Sequence, residues 1–431
     1  MRKKICAIFM LVVLLGTMLA GCGSTSSTED TSQTTTAEKT KLSFYIWSDE
    51  ESYIKQVVDE YNASQDNVQV DLTVVAAENY DDKLKVLLSG GGDVDIVDIK
   101  GMSQVSTYGN AEALTNLTDM IAGSDLDVSN YGPMWDTSTV NDAYYALPTR
   151  TTCWVLYYNK DILDKAGIPY PSDQLTWEEY GKLCNQVYST CQSQAITAKD
   201  GTEIKGGMLV NWVLDYYNIQ KNVYLNSDDT DTIKEGLQTN YDLYNQDSCY
   251  SYQQVTATDF DYLAEFENGH VALMPNGEWM VNMFKDDISS GQTDINWGCT
   301  YLPIPAGVED HTTFGDFQFV GISANSKHQQ ESFDFLKYLC GEQGATIYAN
   351  NGIIPAYASD DVTNAYKQAS NNDTVSVFFD SKKIQQSPND DSYEEISKAY
   401  TENAQLYFLD ETDLDTCMKN FIEQRDSILG N

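Results

Sequence analysis

Phe266-Glu-Asn-Gly-His-Val-Ala-Leu-Met-Pro-Asn-Gly-Glu-Trp279, followed after a polar interval by Trp297-Gly-Cys-Thr-Tyr-Leu-Pro-Ile-Pro305, is the stretch on which the fold turns. His270 to Met274 is a short apolar run between Gly269 and Pro275, the pattern of a buried strand that stops abruptly. Pro275, Asn276 and Gly277 read as the turn that ends it. Glu278, Trp279, Met280 and Val281 then read as the first turn of a helix. This places an aromatic side chain at the carboxyl end of a strand, the edge where open α/β sheets hold their ligands. From the residues alone Trp279 reads either as a core aromatic or as an exposed platform.

Outward from this stretch, the 431-residue chain exceeds what one core usually supports, so two domains are expected. Apolar residues make up 42%, enough for packed cores, and 29 Tyr with 7 Trp give a rich aromatic supply. The formal charge of -39 repels nucleic acid and anionic headgroups, so no nucleic-acid partner is expected. Arg2-Lys3-Lys4 precedes an apolar run from Ile5 to Leu19, too short to span a bilayer comfortably, and then Leu19-Ala20-Gly21-Cys22. Residues 1–21 therefore read as a lipoprotein signal cut before Cys22, whose thiol would carry a lipid on the extracytoplasmic face of the cell membrane. The alternative is an ordinary signal peptide with an incidental cysteine. Residues 22–41, rich in Ser and Thr, read as a disordered tether.

Seven cysteines remain: Cys153, Cys184, Cys191, Cys249, Cys299, Cys340 and Cys417. An odd number without a Cys-x-x-Cys pair argues against a regular disulfide framework or a zinc site, and neither metal nor cofactor is expected. They read as buried thiols used as small hydrophobes. One disulfide stays possible, and the sequence does not place it.

Leu42 to Trp47 reads as a strand, and Ser48-Asp-Glu-Glu51 as a capping box that opens a helix. Ser48, Asp49 and Glu50 thus lie at a strand's end, as ligands for hydroxyls or as plain caps. Val68 to Val75 reads as a second strand, Tyr80 to Leu88 as a helix closed by Gly90-Gly91-Gly92, and Asp93 to Ile99 as a third strand ending beside Asp98 and Lys100. Leu147-Pro148-Thr-Arg150 leads into Trp154-Val-Leu-Tyr-Tyr-Asn-Lys160, and Thr176-Trp-Glu-Glu179 is a second capping box. Arg150 is a forked donor suited to vicinal hydroxyls or a carboxylate, and equally to an ion pair. Phe314 to Ile322 reads as one strand with Asp316 inside it, and Pro388 to Tyr393 leads into a helical C-terminal region.

Phe266, Gly269, Ala272, Met274, Gly277-Glu-Trp279 and Leu302-Pro303-Ile304-Pro305 come in an order that resembles the extracellular solute-binding proteins of sugar ABC importers, the family that includes maltose-binding protein. Leu273 is inserted between the family's Ala and Met. Tyr80-x-x-Lys83-Leu84, Asp95 (after Val94, where the family has Pro), Tyr158-Asn159-Lys160 and Gly352-Ile-Ile-Pro355 continue the series, which covers residues 41–431. The resemblance implies a periplasmic-binding-protein-like α/β fold: two α/β lobes, 42–149 plus 312–355 and 150–311 plus 356–431, joined by a three-segment hinge with the ligand cleft between them. It implies a carbohydrate ligand, an ABC permease as partner, and a monomer. It also implies that Trp279 stacks on sugar, with Trp212, Asn211 and Tyr393 from its own lobe and Arg150 near the hinge. Ser48, Asp49, Glu50, Asp98, Lys100, Asp316 and Glu278 are the polar candidates.

Two other readings stay open. The same fold can bind a peptide, a polyamine or another non-sugar solute, and a secreted glycoside hydrolase would need two carboxylates, which 65 acids supply by chance. No Gly-x-Ser-x-Gly or His-Glu-x-x-His is present, and His270, His311 and His328 lack metal-ligand spacing, so no catalytic residue is assigned.

Overall fold

The computed structural model describes residues 39–430 apart from Gly92, Ser172, Asp173, Asp259 and Asp391. The signal sequence, Cys22 and most of the tether lie outside the described residues. Among those described, the strands are β1 (Thr40–Trp47), β2 (Val68–Val75), β3 (Ile96–Ile99), β4 (Ala146–Thr151), β5 (Trp154–Asn159), β6 (Lys205–Gly207), β7 (Val271–Gly277), β8 (Trp297–Tyr301), β9 (Thr312–Gly315), β10 (Phe317–Ile322) and β11 (Lys382–Gln385). No described helix is long and apolar enough to cross a membrane.

A five-stranded sheet, order β2-β1-β3-β10-β4, forms the first lobe. Its first three strands run parallel, while β10 is antiparallel to both β3 and β4. Ile96, Val97, Asp98 and Ile99 of β3 are all buried, as expected of a parallel strand covered on both faces. The tether gives way to β1 at Thr40, two residues earlier than expected, because Thr40 already pairs with Val68.

The second lobe is built on a four-stranded sheet, order β6-β7-β5-β8. Every residue of β5 is buried. Leu156 and Tyr158 pack into a core with the helix Trp177–Gln194, and Val155 and Tyr157 into one with Phe284 and Tyr366. The Thr176 box forms as read: its side chain accepts from Glu179 N, and Glu179 caps it in return.

Four local expectations are corrected. Pro275-Asn276-Gly277 is no turn: β7 continues through Gly277, paired with β5 from Tyr158↔Leu273 to Trp154↔Gly277. The Leu273 carbonyl points toward β6 and accepts Met208 N. Pro275, two residues on, also points to that side, where the three-residue β6 has ended, so its missing N–H breaks no ladder. Ser48 does not cap its own helix; its hydroxyl accepts Ala77 N at 3.2 Å, at the start of the neighbouring helix Ala77–Val86. The third strand is only Ile96–Ile99, since Asp95 turns its carboxylate to Ser43 and Ser326. Phe314 to Ile322 is two strands. β9 pairs in parallel with β11, and Thr313 donates to the Trp154 carbonyl, whereas β10 joins the first sheet.

The chain therefore passes between the sheets at Thr152–Cys153 and at Asp316. A third passage lies where Pro355 bridges to Arg150 and Ala356 N donates to Thr149 O. Strands of the first sheet end at Thr151 and resume at Phe317, while residues 312–315, expected in the first lobe, form β9 and pair with β11.

Candidate functional site

In the second lobe, Gly277 ends β7 and the chain folds back on itself. A Cβ at Gly277 would stand 2.0 Å from the Trp279 ring, so glycine is what lets the indole lie across the strand end. Trp279 is half-buried. It meets Trp154 edge-on, with centroids 5.2 Å apart at 89°, and its indole reaches the Tyr262 hydroxyl. Tyr262 in turn packs against Trp212, 5.0 Å away. Trp212 is 48% exposed, an unusual exposure for a tryptophan, and Asn211 precedes it in a bend between β6 and the helix Tyr216–Gln220. Trp212, Tyr262, Trp279 and Trp154 form one aromatic ridge.

The first lobe presents a polar edge. Lys100, just past β3, pairs with Asp81 at 3.0 Å and lies 5.7 Å over the Trp47 ring. Gln104 donates to the other Asp81 oxygen and accepts Lys100 N. Ser48 and Asp49 are exposed beside this network and hydrogen-bond each other at 3.1 Å.

Arg150, near the end of β4, ties together the hinge edge of the first lobe. Its Nη2 pairs with Glu50 Oε1 at 3.1 Å, and its Nε donates to Gln318 Oε1 at 2.7 Å. Tyr53 donates to the other Glu50 oxygen. Glu50, Asp98 and Glu278 are 2%, 1% and 6% exposed, so three carboxylates share the field of one guanidinium. Burial raises all three above the usual carboxylate range, and the Arg150 charge opposes the rise in each. Glu50 follows β1 and Glu278 follows β7. Glu50 pairs with Arg150, two residues before Thr152, and Glu278 accepts Cys153 N at 3.0 Å, so the ends of β1 and β7 both lie beside the first passage between lobes.

Two predicted residues serve elsewhere. Asp316 accepts Gln386 N and Ser387 N at the β9/β10 junction, and burial pushes its carboxyl up to about 6. Its Oδ1 thereby anchors the segment after β11. Tyr393 is 8% exposed, packs against Tyr224 and donates to Asp215, so its ring belongs to the core of the second lobe. Asp98 also departs from the expectation of a loop contact: it lies inside the first lobe, hydrogen-bonded to Ile99 N.

Tyr262, Trp154, Gln318, Asp81 and Gln104 were not singled out from sequence. Tyr262 is one of 29 tyrosines, and only its position between two tryptophans distinguishes it. Among the described residues no cluster of three or more His, Cys, Asp or Glu is arranged to hold a metal ion. The arrangement can do one thing well: pack the apolar face of a ring on the ridge while the opposite edge exchanges hydrogen bonds with hydroxyls.

The pattern of the bacterial extracellular solute-binding protein family matches residues 56–374. The arabinooligosaccharide-binding protein of Bacillus subtilis (strain 168) is 22% identical over 363 residues, 80% of this chain and 77% of that one. A sugar transporter from Rhizobium etli, solved in an open conformation, superimposes with a TM-score of 0.83 at 24% identity, over 90% of this chain and 99% of that one. An ABC substrate-binding protein from Listeria monocytogenes in complex with cycloalternan gives 0.69 at 19% identity, over 91% and 100%.

Proposed function

The chain belongs to the bacterial extracellular solute-binding proteins, and on that premise we propose that it captures an oligosaccharide between its lobes and hands it to the permease of an ABC importer. What supports this reading is the run of Trp212, Tyr262 and Trp279 in the second lobe, with Trp212 48% exposed, together with the polar side chains of Ser48, Asp49 and Lys100 at the ends of β1 and β3 in the first. The names of the relatives, an arabinooligosaccharide-binding protein and a cycloalternan complex, point the same way. Binding is by closure, rotating the lobes about Thr152–Cys153, Asp316 and Pro355, and only the closed liganded form presents both lobes to the permease together. It acts in this reading as a binding protein, as its relatives do, with Glu50 held by Arg150 and Tyr53 and Glu278 by a backbone amide.

The test is thermal unfolding against mono- and oligosaccharides, amino acids, peptides and polyamines. A ligand at a hundred times its dissociation constant adds about 2.7 kcal/mol, enough to move the midpoint visibly. A rise with one oligosaccharide series, with the sugar recovered intact, is expected. A rise only with peptides or polyamines would reject the sugar, and recovered fragments would reject the binding protein.

The protein works as a monomer held at the outer face of the membrane by lipid on Cys22. Cells making Cys22→Ser are accordingly expected to release it into the medium while the unaltered protein stays in the membrane fraction. Equal release of both would remove the anchor from this account.

A further inference from the structure

Two thiols stand against each other in the second lobe. Cys184 lies midway along the helix Trp177–Gln194 and is 0% exposed; Cys249 follows the helix Thr230–Tyr244 and is 5% exposed. The helix approaches β6 closely because β6 offers it glycine. A Cβ at Gly206 would stand 1.9 Å from the Cys184 carbonyl oxygen, and one at Gly207 would stand 2.3 Å from Cys184 Sγ.

Cys249 flanks the same glycine. Gly207 and Cys249 form a parallel bridge in which Gly207 N donates to Ser248 O and Tyr250 N donates to Gly207 O, each at 3.2 Å. No β6 side chain separates the sulfurs: Gly207 has Cys184 Sγ over it and Cys249 paired beside it. Around them stand the Tyr180 hydroxyl, 2.6 Å from the same position at Gly207, and Ser248 Oγ, 3.9 Å from Cys249 Sγ.

We propose that Cys184 and Cys249 are a disulfide-forming pair, joined when the exported chain folds in the presence of a disulfide-class oxidant. An extracellular chain meets such oxidants, whereas a cytosolic one is kept reduced. The Cys249 thiolate attacks one sulfur of the oxidant, forming a mixed disulfide and releasing the other half as a thiolate. Cys184 then gives up its proton, and its sulfur attacks Cys249 Sγ and displaces the second half. Two protein thiols are oxidised and one small disulfide is reduced to two thiols, which take up the two protons. Cys249, 5% exposed against 0% for Cys184, is the sulfur that meets the oxidant, and its thiol is also held below the usual range, chiefly by Cys184. The bond would close a loop that contains Asn211 and Trp212, fixing to the lobe's central helix the segment that carries one end of the aromatic ridge.

The test uses the unaltered chain, refolded with oxidised glutathione, then denatured, alkylated and digested. Two fewer alkylated cysteines than in a dithiothreitol-treated control are expected, with one crosslinked peptide pair containing Cys184 and Cys249. Dithiothreitol should lower the unfolding midpoint of the oxidised chain and leave that of Cys184→Ala unchanged. If every cysteine alkylates after oxidation, or the crosslink joins any other two, the assignment is overturned. Because peptide mapping is done on the unaltered chain, the result does not depend on the variant folding.

Discussion

Trp279→Ala is expected to weaken oligosaccharide binding roughly 30- to 1,000-fold, the effect of about 2–4 kcal/mol that truncating a central aromatic anchor typically has. The ring is positioned from two directions: Gly277 leaves it room and Trp154 meets it edge-on. Removing it takes away the middle of the ridge. The fold should survive, because Trp279 is only half-buried and β7 keeps its pairing with β5. Calorimetric titration of the cognate sugar checks this, with circular dichroism as the control. Affinity within threefold of the unaltered protein would move the site away from β7.

Arg150→Met should cost stability, by about 3–5 kcal/mol near neutral pH, the usual consequence of leaving buried charge without its partner. Glu50 loses its only described ion pair, Gln318 its donor, and Asp98 and Glu278 the positive charge that opposes their burial. The pH dependence follows from the direction of those shifts. A carboxyl whose proton is held more tightly in the folded chain than in the unfolded one favours folding as pH falls. In the variant all three are held more tightly still, so the deficit should be largest at pH 7.5 and shrink toward pH 5. Urea unfolding at the two values measures it. An equal deficit at both would mean that Arg150 contributes packing alone.

Leu42–Trp47, Val68–Val75 and the Thr176–Glu179 capping box were legible because their signals are local and need nothing from the rest of the chain. The placement of Trp279 at a strand's carboxyl end was legible too, although the route there was misread. Pro275 is strand because β6 stops short, a fact held some seventy residues upstream. Ser48 shows the same limit: its hydroxyl has a cap to make, but for a helix that starts at Ala77. Tyr393 was a candidate because the resemblance implies an aromatic at that point, and Asp316 because it lies on a stretch that leads back past the cleft. In space, Asp215 and the amides after β11 had already taken their polar atoms. Tyr262 had no signal at all.

The passage between β9 and β10 is a single residue, Asp316, and that between β4 and β5 only Thr152–Cys153. Linkers so short cannot stretch, so the lobes turn about them and do not drift apart. The motion thus has essentially one coordinate, and an environment-sensitive dye at an exposed rim position such as Met283, which is 36% exposed, would report occupancy as a change in brightness. The chain is, in effect, already wired as a reagentless optical sensor for whatever it binds.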